Sequence, residues 1–146
     1  MPFKRPESVL VIIYTCAGEV LMLERATPRG FWQSVTGSLH EGESALVAAQ
    51  RELEEETGLV AEPVDSGLTN TFPIAPAWRA RYAPAVTHNH ETVFTLALQR
   101  ACEIRLNPAE HVEMRWLPRE QAAAQASSWT NREAILALVP EHPTKA

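Results

Sequence analysis

Glu52, Glu55 and Glu56 bring three carboxylates together within five residues. Positions three and four apart share one face of an α-helix, so a helix here projects all three to one side. Like charges on one patch repel, and near a helix C-terminus the macrodipole disfavours them further. Such a patch calls for a cation. Hard carboxylate oxygens at that density suit Mg²⁺ or Mn²⁺ rather than zinc, whose sites favour Cys and His. A dication held there would neutralise a polyphosphate, fix it in place, and lower the pKa of a water that attacks phosphorus. Arg51 follows Glu43 by eight residues; an ion pair between them would tie the preceding loop to the helix and orient the metal-binding face. Taken alone, Glu52-Leu-Glu-Glu-Glu56 reads more simply as a solvated acidic face, as most charge blocks do.

The elements that must position these groups follow from pattern. Ser44 to Thr57 is a run of good helix formers, with Gly58 where a C-cap is expected. Before it, Gly37 to Gly42 reads as a loop, and Phe31 to Ser34 as a short strand. Ser8 to Tyr14 is rich in β-branched residues and predicts a buried strand, with Val20 to Leu23 returning as its hairpin partner after the Cys16–Glu19 turn. Gly67 to Phe72, Thr92 to Leu98 and Glu113 to Leu117 are further strands. Arg119 to Ala126 and Asn131 to Leu138 are helices, the second opened by a capping box at Thr130-Asn-Arg-Glu133. Between two of the strands, Pro73, Pro76 and Pro84 prevent regular structure, and Trp78, Arg79, Arg81 and Tyr82 mark that interruption as a substrate loop. Strands mixed with helices in one α/β domain over 1–146 is the resulting architecture.

Bulk properties narrow the function classes. The chain has 146 residues, 45% hydrophobic and 21% charged, with a formal net charge of −5, and no Lys/Arg stripe that could track a nucleic-acid polymer. The apolar run Val9 to Tyr14 is far short of the roughly 20 residues that span a bilayer, and the start lacks a signal-peptide pattern, so the cytoplasm is the expected location. Cys16 and Cys102 form neither a disulfide framework nor a metal pair and read as reduced, part-buried thiols. His88-Asn-His90 reads as loop rather than a zinc site. His40, His111 and His142 form no cluster along the chain. Trp32, Trp116 and Trp129 are expected in the core or a pocket wall.

The span from 37 to 59 resembles the signature of the Nudix hydrolases, Gly-x5-Glu-x7-Arg-Glu-U-x-Glu-Glu-x-Gly-U, with U a bulky aliphatic residue. Gly37, Glu43, Arg51, Glu52, Leu53, Glu55, Glu56, Gly58 and Leu59 fill every defined position. This resemblance implies an α/β/α sandwich with a mixed β-sheet, and water attack on phosphorus in a nucleoside diphosphate linked to another group. It implies Glu52 and Glu56 as metal ligands and Glu55 as a third ligand or proton acceptor. Gly37, Glu43 and Arg51 support them.

Outside this box the chain is similar to the bacterial dihydroneopterin triphosphate pyrophosphohydrolases. The matching pieces are Lys4-Arg5-Pro6, Val20 to Leu23 with Arg25, Phe31 to Ser38, Arg81-Tyr-Ala-Pro84 with Val86-Thr87, Glu110-His111, Trp116-Leu117, and Ser128-Trp129 with Asn131-Arg132. That similarity implies a small-molecule triphosphate substrate, with pyrophosphate released. Lys4 and Arg25 would then meet the phosphates, and Thr36 and Ser128 would donate hydroxyl hydrogen bonds. Phe72, Ile74 and Arg81 would line the substrate region, in which Pro73 and Ala75 depart from the pattern. Glu110 would be a further metal ligand or the general base. Two rivals remain: a Nudix hydrolase of oxidised nucleoside triphosphates or of a dinucleotide, and a non-catalytic sensor, which would be expected to lose a metal-binding carboxylate.

Overall fold

The computed structural model describes residues 3–143. Seven strands form one mixed sheet: β1 (Glu7–Thr15), β2 (Glu19–Arg25), β3 (Trp32–Gln33), β4 (Val35–Ser38), β5 (Val64–Pro73), β6 (His88–Leu98) and β7 (His111–Pro118). Three helices cover it, α1 (Ala45–Thr57), α2 (Arg119–Gln125) and α3 (Trp129–Leu138). The central β1 pairs in parallel with β6, and β6 in antiparallel with β5.

Alternation along β1 explains the layering. Val9, Val11 and Ile13 pack with Ala48, Ala49 and Leu53 of α1 on one face. Leu10 and Ile12 pack with Ala122 of α2 and Ala134 and Ile135 of α3 on the other. A strand covered on both sides must be apolar throughout, which is what Val-Leu-Val-Ile-Ile supplies. The expected α/β/α sandwich with a mixed sheet is therefore the observed one.

β1 and β2 are joined only near their turn, at Tyr14 opposite Val20, and then diverge. The segment from Trp32 to Ser38 fills the fork: β3 pairs with β2, and β4 pairs with β1 from Val11 opposite Val35 to Ser8 opposite Ser38. β7 lies along the whole of β2.

Several boundaries differ from expectation. Gly37 and Ser38 belong to β4 rather than to a loop, because β1 offers them a free edge. His88 and His90 extend β6 instead of forming a loop, paired to β5. The proline-rich interruption contains a 3₁₀ helix, Pro76–Arg81, with proline at its first turn, where a missing N–H costs nothing. The helix α3 begins at Trp129, not Asn131, and its cap is Ser128, whose hydroxyl accepts from Asn131 N–H at 3.2 Å. The Thr130 capping box is therefore incorrect; Thr130 already lies in the first turn and is buried. Trp32 is buried and Trp116 packs on the core, but Trp129 is 52% exposed and belongs to neither core. Cys16 and Cys102 are free thiols, partly exposed. No helix among the described residues is long and apolar enough to cross a membrane.

Candidate active site

Packing, not intrinsic preference, holds the acidic helix where it is. Its last turn carries no basic residue, an electrostatic mismatch of a few tenths of a kcal/mol per charge. Burying Leu53 alone, fully enclosed against β1, contributes roughly 1.5–3 kcal/mol. Left-handed Gly58 caps the end, as the sequence indicates, while Ser44 is the N-cap rather than the first helical residue. This seating drives Glu52 (8% exposed) and Glu56 (1% exposed) into the fork, while Glu55 stays at the rim with its side chain 48% exposed.

Gly37 is required by proximity rather than by backbone angle. A β-carbon there would fall well inside 3.0 Å of all three carboxylate atoms of Glu52. The Glu52 carboxylate thus lies in a cradle that any side chain at position 37 would fill.

Arg51 organises the surface side. Its guanidinium donates to both Glu43 oxygens at 2.8 and 2.9 Å, to Ser38 O at 3.1 Å, to Glu52, and to Glu55 at 3.2 Å. Glu43 also accepts from His40 N–H, so the loop is tied to the helix as expected. The Arg51 bonds hold the Glu43 carboxyl down at about 2, from an ordinary 4.5. A depressed carboxyl pKa contributes stability that is complete above pH 4.5 and lost as pH falls toward 2. Glu43→Gln should therefore be less stable by about 1–2 kcal/mol at pH 6. In urea denaturation the gap from wild type should close between pH 4.5 and 2; a gap that persists at pH 2 contradicts this.

Inside the fork Glu56 is isolated. Neither carboxylate oxygen has a hydrogen-bond partner among the described residues. Burial pushes its carboxyl well above the usual range, and neighbouring Glu52 and Glu110 push it further. The nearest base is His111 of β7, its Nε2 3.8 Å from Glu56 Oε1. His111 is itself buried, which with Arg25 nearby lowers its pKa to about 4. It is neutral at pH 7 and supplies no countercharge; the amide of Gln33 lies 3.1 Å from its Nε2. Sequence spacing gave no reason to join His111 to a glutamate 55 positions earlier; the register of β7 on β2, placing it opposite Arg25, does so.

Cations stand at the opening. Lys4 and Arg25 stand close to Arg81: burial lowers the pKa of Lys4 and Arg25 most, and the charge of Arg81 adds to both. Lys4 also feels Glu52 and Glu110, and Arg25 feels Glu56 and Glu110. Lys4 N–H donates to Arg81 O at 2.9 Å, strapping the end of the 3₁₀ turn to the N-terminal segment. Arg25 is held by Thr27 O at 2.9 Å and lies over Trp78, 5.6 Å from the ring centroid, while Trp78 meets Phe31 edge-on. Glu110, exposed just before β7, accepts Ala26 N–H through its backbone carbonyl. Burial and the charges of Glu52 and Glu55 raise its carboxyl pKa.

The structure thus brings Lys4, Arg25, Arg81, Glu52, Glu56 and Glu110 to one opening. Thr36 lies beneath it in β4, its hydroxyl donating to Val9 O at 2.8 Å. That donor is committed to the backbone, a constraint the sequence does not reveal. Phe72 is half-buried in β5, and Ile74 is buried with its N–H bonded to Thr87 O. Ser128 caps α3, accepting from the backbone.

A hard divalent cation fits this set. Its donors are all carboxylate oxygens, and two on Glu56 are buried without partners. Among the described residues no three potential ligands are already closed around one point. Arg51 donates to both Glu52 and Glu55.

Comparison with known proteins agrees. The NUDIX domain family model matches residues 4–138. The dihydroneopterin triphosphate diphosphatase of Escherichia coli K12 is 47% identical over 139 residues, covering 91% of both chains. That of Haemophilus influenzae is 36% identical over 141 residues, covering 92% of this chain and 88% of the other. The solved structure of the E. coli dihydroneopterin triphosphate pyrophosphohydrolase superposes with a TM-score of 0.89 at 43% identity, over 95% of this chain and 98% of that one. A Caenorhabditis elegans Ap4A hydrolase shares the fold at TM-score 0.69 and 20% identity, over 89% and 92% of the chains. A complete signature on a loop and helix that bury two carboxylates, a matching family model and relatives covering nine-tenths of the chain lead to one assignment: this protein belongs to the Nudix hydrolase family.

Proposed function

We propose that this chain, as one domain, hydrolyses 7,8-dihydroneopterin triphosphate with Mg²⁺ (or Mn²⁺ in its place), releasing pyrophosphate and leaving the monophosphate. The observation that carries this reading is the 47% identity to a named diphosphatase across 91% of both chains. In the reaction, water oxygen bonds to phosphorus, a bridging P–O bond breaks, and the leaving phosphate oxygen keeps the electron pair. Glu52 and Glu56, with Glu55 at the rim and Glu110, would hold the metal. The bound metal supplies charge neutralisation on the phosphates and an acidified water. Lys4, Arg25 and Arg81 bind and orient the triphosphate, Arg25 by a fork that Trp78 and Thr27 O hold in place. Glu110 stands among these cations and accepts the water proton. Phe72 and Ile74 wall the organic part of the substrate. Unpaired Cys16 and Cys102 support a cytoplasmic setting.

Pyrophosphate release by purified protein with Mg²⁺, measured across a substrate panel, tests the reading. Faster release from oxidised dGTP than from dihydroneopterin triphosphate would replace it with nucleotide cleansing. Arg25→Ala should raise KM several-fold more than it lowers kcat, because the phosphates are held alike before and during reaction. A fall in kcat at unchanged KM would move Arg25 to the transition state.

A further inference from the structure

Away from the metal-binding carboxylates, β6 buries a second acid. Glu91 is 5% exposed, and no cation pairs with it among the described residues. Asn70 Nδ2 donates to its Oε1 at 3.2 Å, and the Thr130 hydroxyl lies beside it. Two residues earlier on the same face, Asn89 is 4% exposed; its Nδ2 donates to Ser8 Oγ at 2.7 Å and its Oδ1 has no partner. Burying a carboxylate without a countercharge is costly, and an orphaned amide oxygen adds its own desolvation penalty. Nothing in core packing demands either group, since apolar Val93 follows on the same face.

Register shows what surrounds them. Phe72 lies opposite Asn89 and Asn70 opposite Glu91, so the half-buried ring flanks the acceptor pair. Ser8 lies opposite Glu91 on the other side. This face is the one that α3 covers, and its capped N-terminus carries Ser128 and Thr130. An aromatic side chain beside a carboxylate without a cation and a free amide carbonyl, backed by hydroxyls, is a receptor for a flat ring that offers adjacent N–H donors.

We propose that Glu91, with the Asn89 carbonyl, is a specificity-determining pair that receives the ring N–H and exocyclic NH₂ edge of the substrate's 2-amino-4-oxopyrimidine, with Phe72 against the ring. The inference rests on the pterin reading above, but the same two-donor edge occurs in guanine and is absent from adenine. It explains why the acid carries no cation: the ligand brings two donors, and a bidentate charge-assisted pair results.

The test pairs a change in the protein with a change in the ligand. Metal-free binding of neopterin and of its 2-oxo (lumazine) analogue is measured for wild type and Glu91→Gln, alongside kcat/KM for dihydroneopterin triphosphate, GTP and ATP. Wild type should prefer neopterin, and GTP over ATP; Glu91→Gln should lose neopterin affinity by about 10- to 100-fold, favour the 2-oxo analogue, and melt no lower than wild type. Turnover of dihydroneopterin triphosphate with neopterin affinity unchanged in Glu91→Gln overturns the pair and leaves the substrate reading standing. Preference for GTP over the pterin, erased by the substitution, keeps the pair and removes the substrate. Wild type that distinguishes neither ring from its counterpart overturns the inference, as does loss of neopterin binding only through unfolding, because the ligand-side change on wild type then carries no preference.

Discussion

Glu56→Gln should lower kcat by roughly 10²–10⁴-fold while raising the melting temperature of the metal-free protein. The two effects share one cause. Glu56 is enclosed with both oxygens unpartnered, Glu52 and Glu110 nearby and the neutral His111 3.8 Å away. An amide of the same shape removes that uncompensated charge, so the empty fold gains stability; it also removes a charged ligand, so the dication is lost. Melting curves in chelator and in saturating Mg²⁺ should cross. Wild type gains about 2.7 kcal/mol at 100 times its dissociation constant, a gain the variant forgoes. Near-normal turnover, or wild type as the more stable form in chelator, would contradict the metal assignment.

Gly37→Ala should be almost as damaging to activity, although it touches no charge. Its new methyl group would overlap the Glu52 carboxylate. The clashing atoms are the far end of a flexible side chain, so the carboxylate swings out of the fork at little cost to the fold. Turnover should fall by about 10²-fold, with the Mg²⁺ concentration for half-maximal rate displaced upward. A mere lowering of the melting point at unchanged Mg²⁺ dependence would show that the close approach is only structural.

The carboxylate-rich half of this site was legible because it is local. Glu43, Arg51, Glu52 and Glu56 sit on one loop and one helix, and the 3.6-residue period predicts a common side for Glu52, Glu55 and Glu56. What the period does not predict is depth: Glu55 shares the face yet remains in solvent, because the packing of Leu53 sets how far each position sinks. The cationic half depends on contacts between segments remote in sequence. Nothing in the spacing of Arg25, Trp78 and His111 announces that Arg25 neighbours both: the pairing of β7 with β2 sets His111 opposite it, and the 3₁₀ helix brings Trp78 under its guanidinium. Asn89 and Glu91 carried a faint signal, since polar residues at alternate positions precede Val93 on a face that is otherwise apolar. The Thr130 capping box failed because two serines upstream offered competing caps, and Ser128 took the role.

The divergence of β1 from β2 separates two duties. The buried carboxylates Glu52 and Glu56 hang from one tine through β4 and α1, while Arg25, with His111 opposite it, stands on the other. Arg25 on the second tine, and residues of the β5–β6 hairpin that flanks β1 on its other side, can be exchanged without touching the cradle that Gly37 makes for Glu52. Such a layout makes the choice of molecule retoolable at constant chemistry, and successful redesign of this scaffold should concentrate there.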